Sequence, residues 1–238
     1  KIGIKFDQNT LINATVLENW KDNTTAQGTF ADNFAIRCTE AVKATNPLSY
    51  PAYNIQNNYI TGYYNGIYTT KTYLPSITDN EVHMRPDYSS GNFQSGITAV
   101  NTTKVDIANN TVDMPNGTTA NWSHNGIFID NNTDPKIRCN SIKYIRNSIL
   151  ANYLNYTVPG YGIYNNNMQN AVYGFWLNAG GEIGHQYYNT TTYSADNQWN
   201  NCTNETYVSS GCNTYATTGA RFYTRNTSPY NITNAVGG

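Results

Sequence analysis

"VDIANNTVDM", residues 105 to 114, has two near-copies in this chain. They are "PSITDNEVHM" at 75 to 84 and "PKIRCNSIKY" at 135 to 144, thirty residues to either side. All three reduce to Ile-x-x-Asn-x-(Ile/Val): Ile77, Asn80, Val82; Ile107, Asn110, Val112; Ile137, Asn140, Ile142. Ile55, Asn58 and Ile60 make a fourth copy, and Val16 with Asn19 is a looser relative. A second phrase recurs at the same interval as Gly66-Ile67, Gly96-Ile97 and Gly126-Ile127. Gly3-Ile4 and Ala35-Ile36 extend it backwards, and Gly162-Ile163 extends it forwards.

The phrases are too short for helices. They are β-branched, alternating and bounded by turn residues, which is the pattern of short strands. A fixed period of this size marks a repeat architecture. Three short strands per unit describe one coil of a parallel β-helix, each coil lying about 4.8 Å above the last. One coil cannot bury its own faces, so neighbouring coils must stabilise one another. The expected fold is all-β: a parallel β-helix (solenoid) of about six coils over residues 1–184. After residue 184 the period is lost, and residues 185–238 are expected as an irregular C-terminal capping segment anchored by Trp199, Tyr215 or Phe222. Residues 41–51, 85–94 and 115–124 are expected in connections, where a solenoid tolerates extra length. Residues 1 to 7 already fit a coil, so a further segment upstream is expected.

The repeated asparagine has a physical meaning. At a bend, Asn58, Asn80, Asn110 and Asn140 can point inward and form a ladder in which each amide satisfies the next. An isolated buried amide would cost roughly 1–3 kcal/mol. The residue before each is Asn57, Asp79, Asn109 or Cys139. Asn and Asp tolerate the left-handed conformation of a sharp bend; Cys139 breaks that preference.

Composition narrows the function. The chain has 238 residues, a formal net charge of -1 and 12% charged residues, about half the usual roughly 25%. No basic run is present to bind nucleic acid or acidic lipid. No apolar run approaches the roughly 20 residues of a membrane span. The four cysteines show no metal-ligand spacing, and neither a metal nor a cofactor is expected. Cys202 and Cys212 are close enough in sequence for a local disulfide. Cys38 and Cys139 are expected as small buried residues.

The Gly-Ile and Ile-x-x-Asn-x-Ile phrases resemble the right-handed parallel β-helix superfamily, which includes pectate lyases and polygalacturonases. The Asn/Thr/Tyr richness and "GGEIGHQYYNTTTYSADNQW" (180–199) resemble β-helix regions of surface proteins exported by Bacteroidota through type IX secretion. That resemblance implies a secreted or cell-surface location. The wider one implies that catalysis, if present, uses charged groups on adjacent coils.

Two sets of side chains answer to those expectations. His83, Asp113 and Lys143 fall in one outward column and are the most chemical-looking group, since histidine titrates near neutrality. The plain alternative is a solvated charge ladder on a strand face. Tyr68, Phe128 and Tyr164 are expected in one outward column, with Trp122 in a connection, and flat aromatic faces stack on sugar rings. Strand preference alone would also explain them. The leading expectation is a non-enzymatic extracellular β-helix segment, a stalk or adhesive, glycan-contacting module. The alternatives are a β-helix polysaccharide lyase or glycoside hydrolase, and a cargo or accessory subunit of a bacterial secretion machine. Partners would be glycans, other surface proteins or secretion machinery.

Overall fold

The computed structural model describes residues 4–7, 10–12, 16–20, 28–31, 34–36, 40–45, 53–61, 65–84, 94–115, 124–154, 162–183, 195–209, 213–214 and 235–237. Among these, every regular element is a strand. The strands follow in triplets: β1 (Ile4–Asp7), β2 (Thr10–Ile12), β3 (Val16–Trp20); β4 (Gly28–Ala31), β5 (Phe34–Ile36), β6 (Glu40–Thr45); β7 (Tyr53–Gln56), β8 (Tyr59–Thr61), β9 (Asn65–Thr70). Next come β10 (Ser76–Thr78), β11 (Glu81–His83), β12 (Gln94–Val100); β13 (Asp106–Ala108), β14 (Thr111–Asp113), β15 (His124–Asp130); β16 (Lys136–Arg138), β17 (Ser141–Lys143), β18 (Asn147–Leu154). The rest are β19 (Gly162–Tyr164), β20 (Asn167–Gln169), β21 (Tyr173–Ile183), β22 (Gln198–Asn200), β23 (Asn204–Val208), β24 (Asn213–Thr214) and β25 (Ala235–Gly237).

Each strand up to β21 stacks in parallel on the strand three places earlier or later. Three sheets result, with seven, eight and ten strands among the described residues. The protein is a parallel β-solenoid. The expected count of about six coils does not describe it. Three turns, entered at Gly66, Gly96 and Gly126, begin thirty residues apart, and the next begins at Ser148, 22 residues after Gly126. Elsewhere the turns shorten or lengthen.

Each sheet carries one apolar column in register, which points inward from Ile55 onward. In the first sheet Phe6, Phe30, Ile55, Ile77, Ile107, Ile137 and Ile163 are in register. In the second they are Leu11, Ala35, Ile60, Val82, Val112, Ile142, Met168 and Trp199. In the third, Leu17, Val42, Ile67, Ile97, Ile127, Ile149 and Phe175 align. From Ile55 to Trp199 these side chains are at most 4% exposed. Burying each contributes roughly 1.5–3 kcal/mol, shared between stacked neighbours.

Several sequence assignments are corrected by this register. Ile4 and Ile163 lie in the first sheet and Ala35 in the second, so none continues the Gly-Ile column of the third. Val16 and Asn19 belong to the third sheet, not to the Asn bend. The Gly-Ile column continues instead through Ser148-Ile149 and Gly174-Phe175. Residues 40–45 are strand β6 rather than a connection. Residues 85–93 and 116–123 lie outside the described residues, as do Tyr215 and Phe222. Beyond residue 184, β22, β23 and β25 continue the second and third sheets, and Trp199 takes an inward core position rather than that of a cap anchor.

The Gly column is a steric requirement. A Cβ on Gly66 would sit 2.6 Å from Val82 Cγ1 and 2.6 Å from Gly96 O. The third sheet therefore approaches both the second sheet and its own next strand too closely for any side chain there.

The asparagine bend sets the other corner. Asn58, Asn80, Asn110, Asn140, Asn166 and Asn197 are all buried. The Nδ2 of each donates to the Oδ1 of the next at 2.7, 2.9, 3.0, 2.9 and 3.0 Å. The backbone N–H of each also donates to that Oδ1. From Asn80 onward, Nδ2 also donates to the Ile carbonyl of the preceding turn, at 2.8–2.9 Å. Successive ladder residues are 22, 30, 30, 26 and 31 positions apart. The ladder is conserved along the axis while the length of the turn is not. The preceding residues Asn57, Asp79, Asn109, Cys139, Asn165 and Asp196 all have φ between 49° and 58°. Cys139 is exposed, not buried. Its side chain leaves the bend on the side opposite the inward Asn140.

Two further buried polar ladders support the third sheet. Thr102 donates from its backbone N and its Oγ1 to Asn132 Oδ1, and Asn132 Nδ2 donates to Ala99 O. Asn147 Nδ2 donates to Asn125 Oδ1, and Asn125 Nδ2 donates to Ser95 Oγ.

Candidate functional site

The outward face of the second sheet carries the charged cluster. Strands β11, β14 and β17 place His83, Asp113 and Lys143 in register. His83 Nδ1 lies 2.7 Å from Asp113 Oδ1, and its Nε2 lies 2.8 Å from Glu81 Oε1. Glu81 is two residues from His83 on the same strand, so period-two alternation puts both on one face. The Tyr59 ring leans on the imidazole with centroids 5.1 Å apart. Lys143 follows in the column but forms no ion pair with Asp113 within 4 Å.

The chemistry of this cluster is limited by its own bonds. A neutral imidazole has one N–H and can donate to only one of the two carboxylates. Both contacts are hydrogen bonds only for the imidazolium. A general base needs a ring nitrogen free for the substrate proton. Here both nitrogens are engaged, and Glu81 would have to swing away before His83 could act.

The first sheet holds a second pair. Asp106 is in register with Ser76 and Lys136, yet its partner is the diagonal Arg138. Arg138 Nε and Nη2 donate to Asp106 Oδ1 and Oδ2 at 3.1 and 3.0 Å. Those hydrogen bonds, opposed by partial burial, push the guanidinium further above its ordinary value. A bidentate fork of this kind fixes geometry across two strands.

The third sheet carries the aromatics. Tyr68, Thr98, Phe128, Leu150, Trp176 and Tyr207 form one column, in register from β9 to β23. Tyr68, Phe128, Trp176 and Tyr207 are partly exposed, whereas Thr98 and Leu150 between them are 2% exposed. The Trp176 indole is held by Nε1 donating to Ser209 Oγ at 2.8 Å. It lies against Tyr173 at 5.1 Å and Tyr207 at 5.7 Å between ring centroids. The Arg146 guanidinium sits 5.7 Å from the Tyr173 ring centroid. Tyr164, expected in this column, is instead on β19 of the first sheet and only 4% exposed. Its sequence neighbour Ile163 fills the Ile column of the first sheet, so Tyr164 cannot join the aromatic face of the third. Trp122 lies outside the described residues. Trp176 and Tyr207 were not singled out from the sequence. The available signal was "YGFW", which repeats the Asn-Gly-Ile-Phe pattern of residues 125–128 with aromatics substituted.

Three positions, each two residues further along its strand, add polarity to this face. Asp130, Asn152 and Asn178 are in register, and Asn178 Nδ2 donates to Asn152 Oδ1 at 3.3 Å. Burial pushes the Asp130 carboxyl above the usual range.

Cys202 is a free thiol that donates to Met168 O at 3.5 Å, and burial pushes its pKa up to about 11. Cys212 lies outside the described residues, so the disulfide expected between them has no geometry here. Among the described residues no group of three or more His, Cys, Asp and Glu is placed to hold a metal ion. No described helix is long and apolar enough to cross a membrane. No family model, curated protein or solved structure matches the chain.

Proposed function

We propose that the protein is a non-enzymatic, extracellular β-solenoid segment of a secreted or cell-surface protein, acting as a rigid module that contacts glycans. The observation that carries this reading is the partly exposed aromatic column Tyr68, Phe128, Trp176 and Tyr207 on a sheet held rigid by buried amide ladders. Flat rings on a rigid support present stacking surface with little entropy left to lose on binding. The low charge and the Asn/Thr/Tyr-rich composition suit a surface exposed outside the cell, and the residues at 180–199 agree with export by the type IX route of Bacteroidota. Glycans, neighbouring surface proteins and the export machinery are its partners in this reading. A glycan array probed with the purified chain tests it. Binding that Trp176→Ala weakens supports the reading; no binding to any glycan contradicts it.

The second reading, a polysaccharide lyase or hydrolase, is favoured by the 2.7 Å approach of His83 to Asp113. It requires Glu81 to release the imidazole. A broad polysaccharide cleavage assay tests it: activity present in the parent and abolished by Asp113→Ala supports it, and no cleavage by the parent rejects it.

A further inference from the structure

We infer that the ligand of the aromatic face is a neutral, extended, β-linked polysaccharide lying along the solenoid axis. This rests on the glycan-contact reading above and specifies it.

The argument is one of spacing, direction and charge. Tyr68, Phe128 and Trp176 occur on alternate strands of one parallel column, with Thr98 and Leu150 between them. Adjacent strands are about 4.8 Å apart, so successive rings are separated by about 9.6 Å along the axis. That is close to the two-sugar repeat of an extended β-linked chain, in which alternate sugars present the same apolar face. A coiled or branched glycan offers no such row. Thr98 and Leu150 occupy the intervals and, at 2% exposure, add almost no surface between the rings. Tyr207 follows directly after Trp176 and closes the row at that end.

The parallel column two residues along each strand runs Thr70, Val100, Asp130, Asn152, Asn178. It lies about 6.6 Å from the aromatic row at the rise of a strand. Its amides and carboxylate match hydroxyl groups at the edge of a sugar chain stacked on the rings. The two columns from Tyr68 onward contain one carboxylate, Asp130, and no Lys or Arg. Lys43 precedes Tyr68 in register and the Arg146 guanidinium lies against Tyr173 beside the row, but within the row itself an anionic polymer such as polygalacturonate would meet the Asp130 carboxylate and no cation.

Isothermal titration calorimetry of the intact chain against three soluble probes tests the inference: a linear β-1,4-glucan derivative, polygalacturonate, and a branched mucin-type glycan. The expected result is binding of the glucan alone, weakened about tenfold by Trp176→Ala or Tyr68→Ala and retained by Trp176→Tyr. Tyr68→Ala keeps the test valid if the change at Trp176 disturbs folding. Preference for polygalacturonate or the branched glycan overturns the inference while leaving glycan contact standing. Glucan binding indifferent to both Ala variants overturns the placement on this face. Binding to none of the three, together with a blank array, overturns the glycan reading itself.

Discussion

Asn110 receives two hydrogen bonds from Asn80 on one side and returns two to Asn140 on the other. Its Oδ1 accepts the backbone N–H and the Nδ2 of Asn80 at 3.0 and 2.9 Å. Its own N and Nδ2 donate to Asn140 Oδ1, each at 3.0 Å. Nδ2 also faces Ile77 O and Ala108 O at 2.9 and 3.0 Å. Three oxygens therefore surround one amide nitrogen.

That environment separates two substitutions at Asn110. Asn110→Ala removes an acceptor from Asn80 and a donor from Ile77 O, and should destabilise by about 2–4 kcal/mol. Asn110→Asp places an oxygen or a charge among the three carbonyl-type oxygens and should cost more than Ala. Urea unfolding of the three proteins measures the order. If Asp is tolerated better than Ala, the donor role of Nδ2 is wrong.

Gly66 meets Val82 across the interior and Gly96 O along the sheet. Gly66→Ala should destabilise by about 1–3 kcal/mol, as overpacking does. Adding Val82→Ala should recover part of that loss, because it relieves one of the two contacts. Full recovery would mean that the backbone contact is unimportant; no recovery would mean that the two sheets do not meet there.

How far the sequence discloses this fold is decided by which positions demand a particular letter. The bend demands a side chain that is both donor and acceptor in a left-handed corner, so Asn survives at 58, 80, 110 and 140 and the phrase is legible. The inward strand positions demand only apolar volume. Met168 and Phe175 meet that demand without resembling Ile, so the repeated phrase does not disclose the turn that holds them. Tyr164 was assigned to the wrong sheet for the same reason: Gly162-Ile163 copies the letters of one column while occupying another. The face joining Glu81 to His83 follows from alternation. Their hydrogen bonds depend on rotamers, which alternation does not specify.

Cys139 adopts φ 56° in an exposed bend where its equivalents are Asn or Asp. No described residue bonds its thiol. Cys139→Asn should stabilise the fold by about 0.5–1 kcal/mol, since Asn occupies the left-handed region at lower cost. Thermal unfolding under reducing conditions checks this, and a loss of stability would point to a role for the thiol.

Cys202 offers a pH test. Its thiol is pushed from 9.0 to about 11 by burial. The folded state thus holds this proton more tightly than the unfolded chain does. Its contribution is fully present below about pH 9 and is lost as pH rises toward about 11. Cys202→Ala should flatten that part of the stability profile. Under native conditions iodoacetamide should label Cys139 and spare Cys202. Resistance of Cys202 to labelling after denaturation without reductant would instead indicate a disulfide.

The most direct measurement is cross-linking between residues thirty positions apart. In a chain whose native cysteines are replaced by serine, Thr111→Cys with Ser141→Cys places two thiols on directly paired strands. Paired strands bring such residues within disulfide reach, whereas a residue two strands away is about 9.6 Å distant and beyond it. Stacked turns predict rapid oxidation of the 111–141 pair, with folding retained, and none of a Glu81→Cys with Ser141→Cys pair. Failure of the first pair, or equal cross-linking of the second, would contradict the stacking on which every other assignment depends.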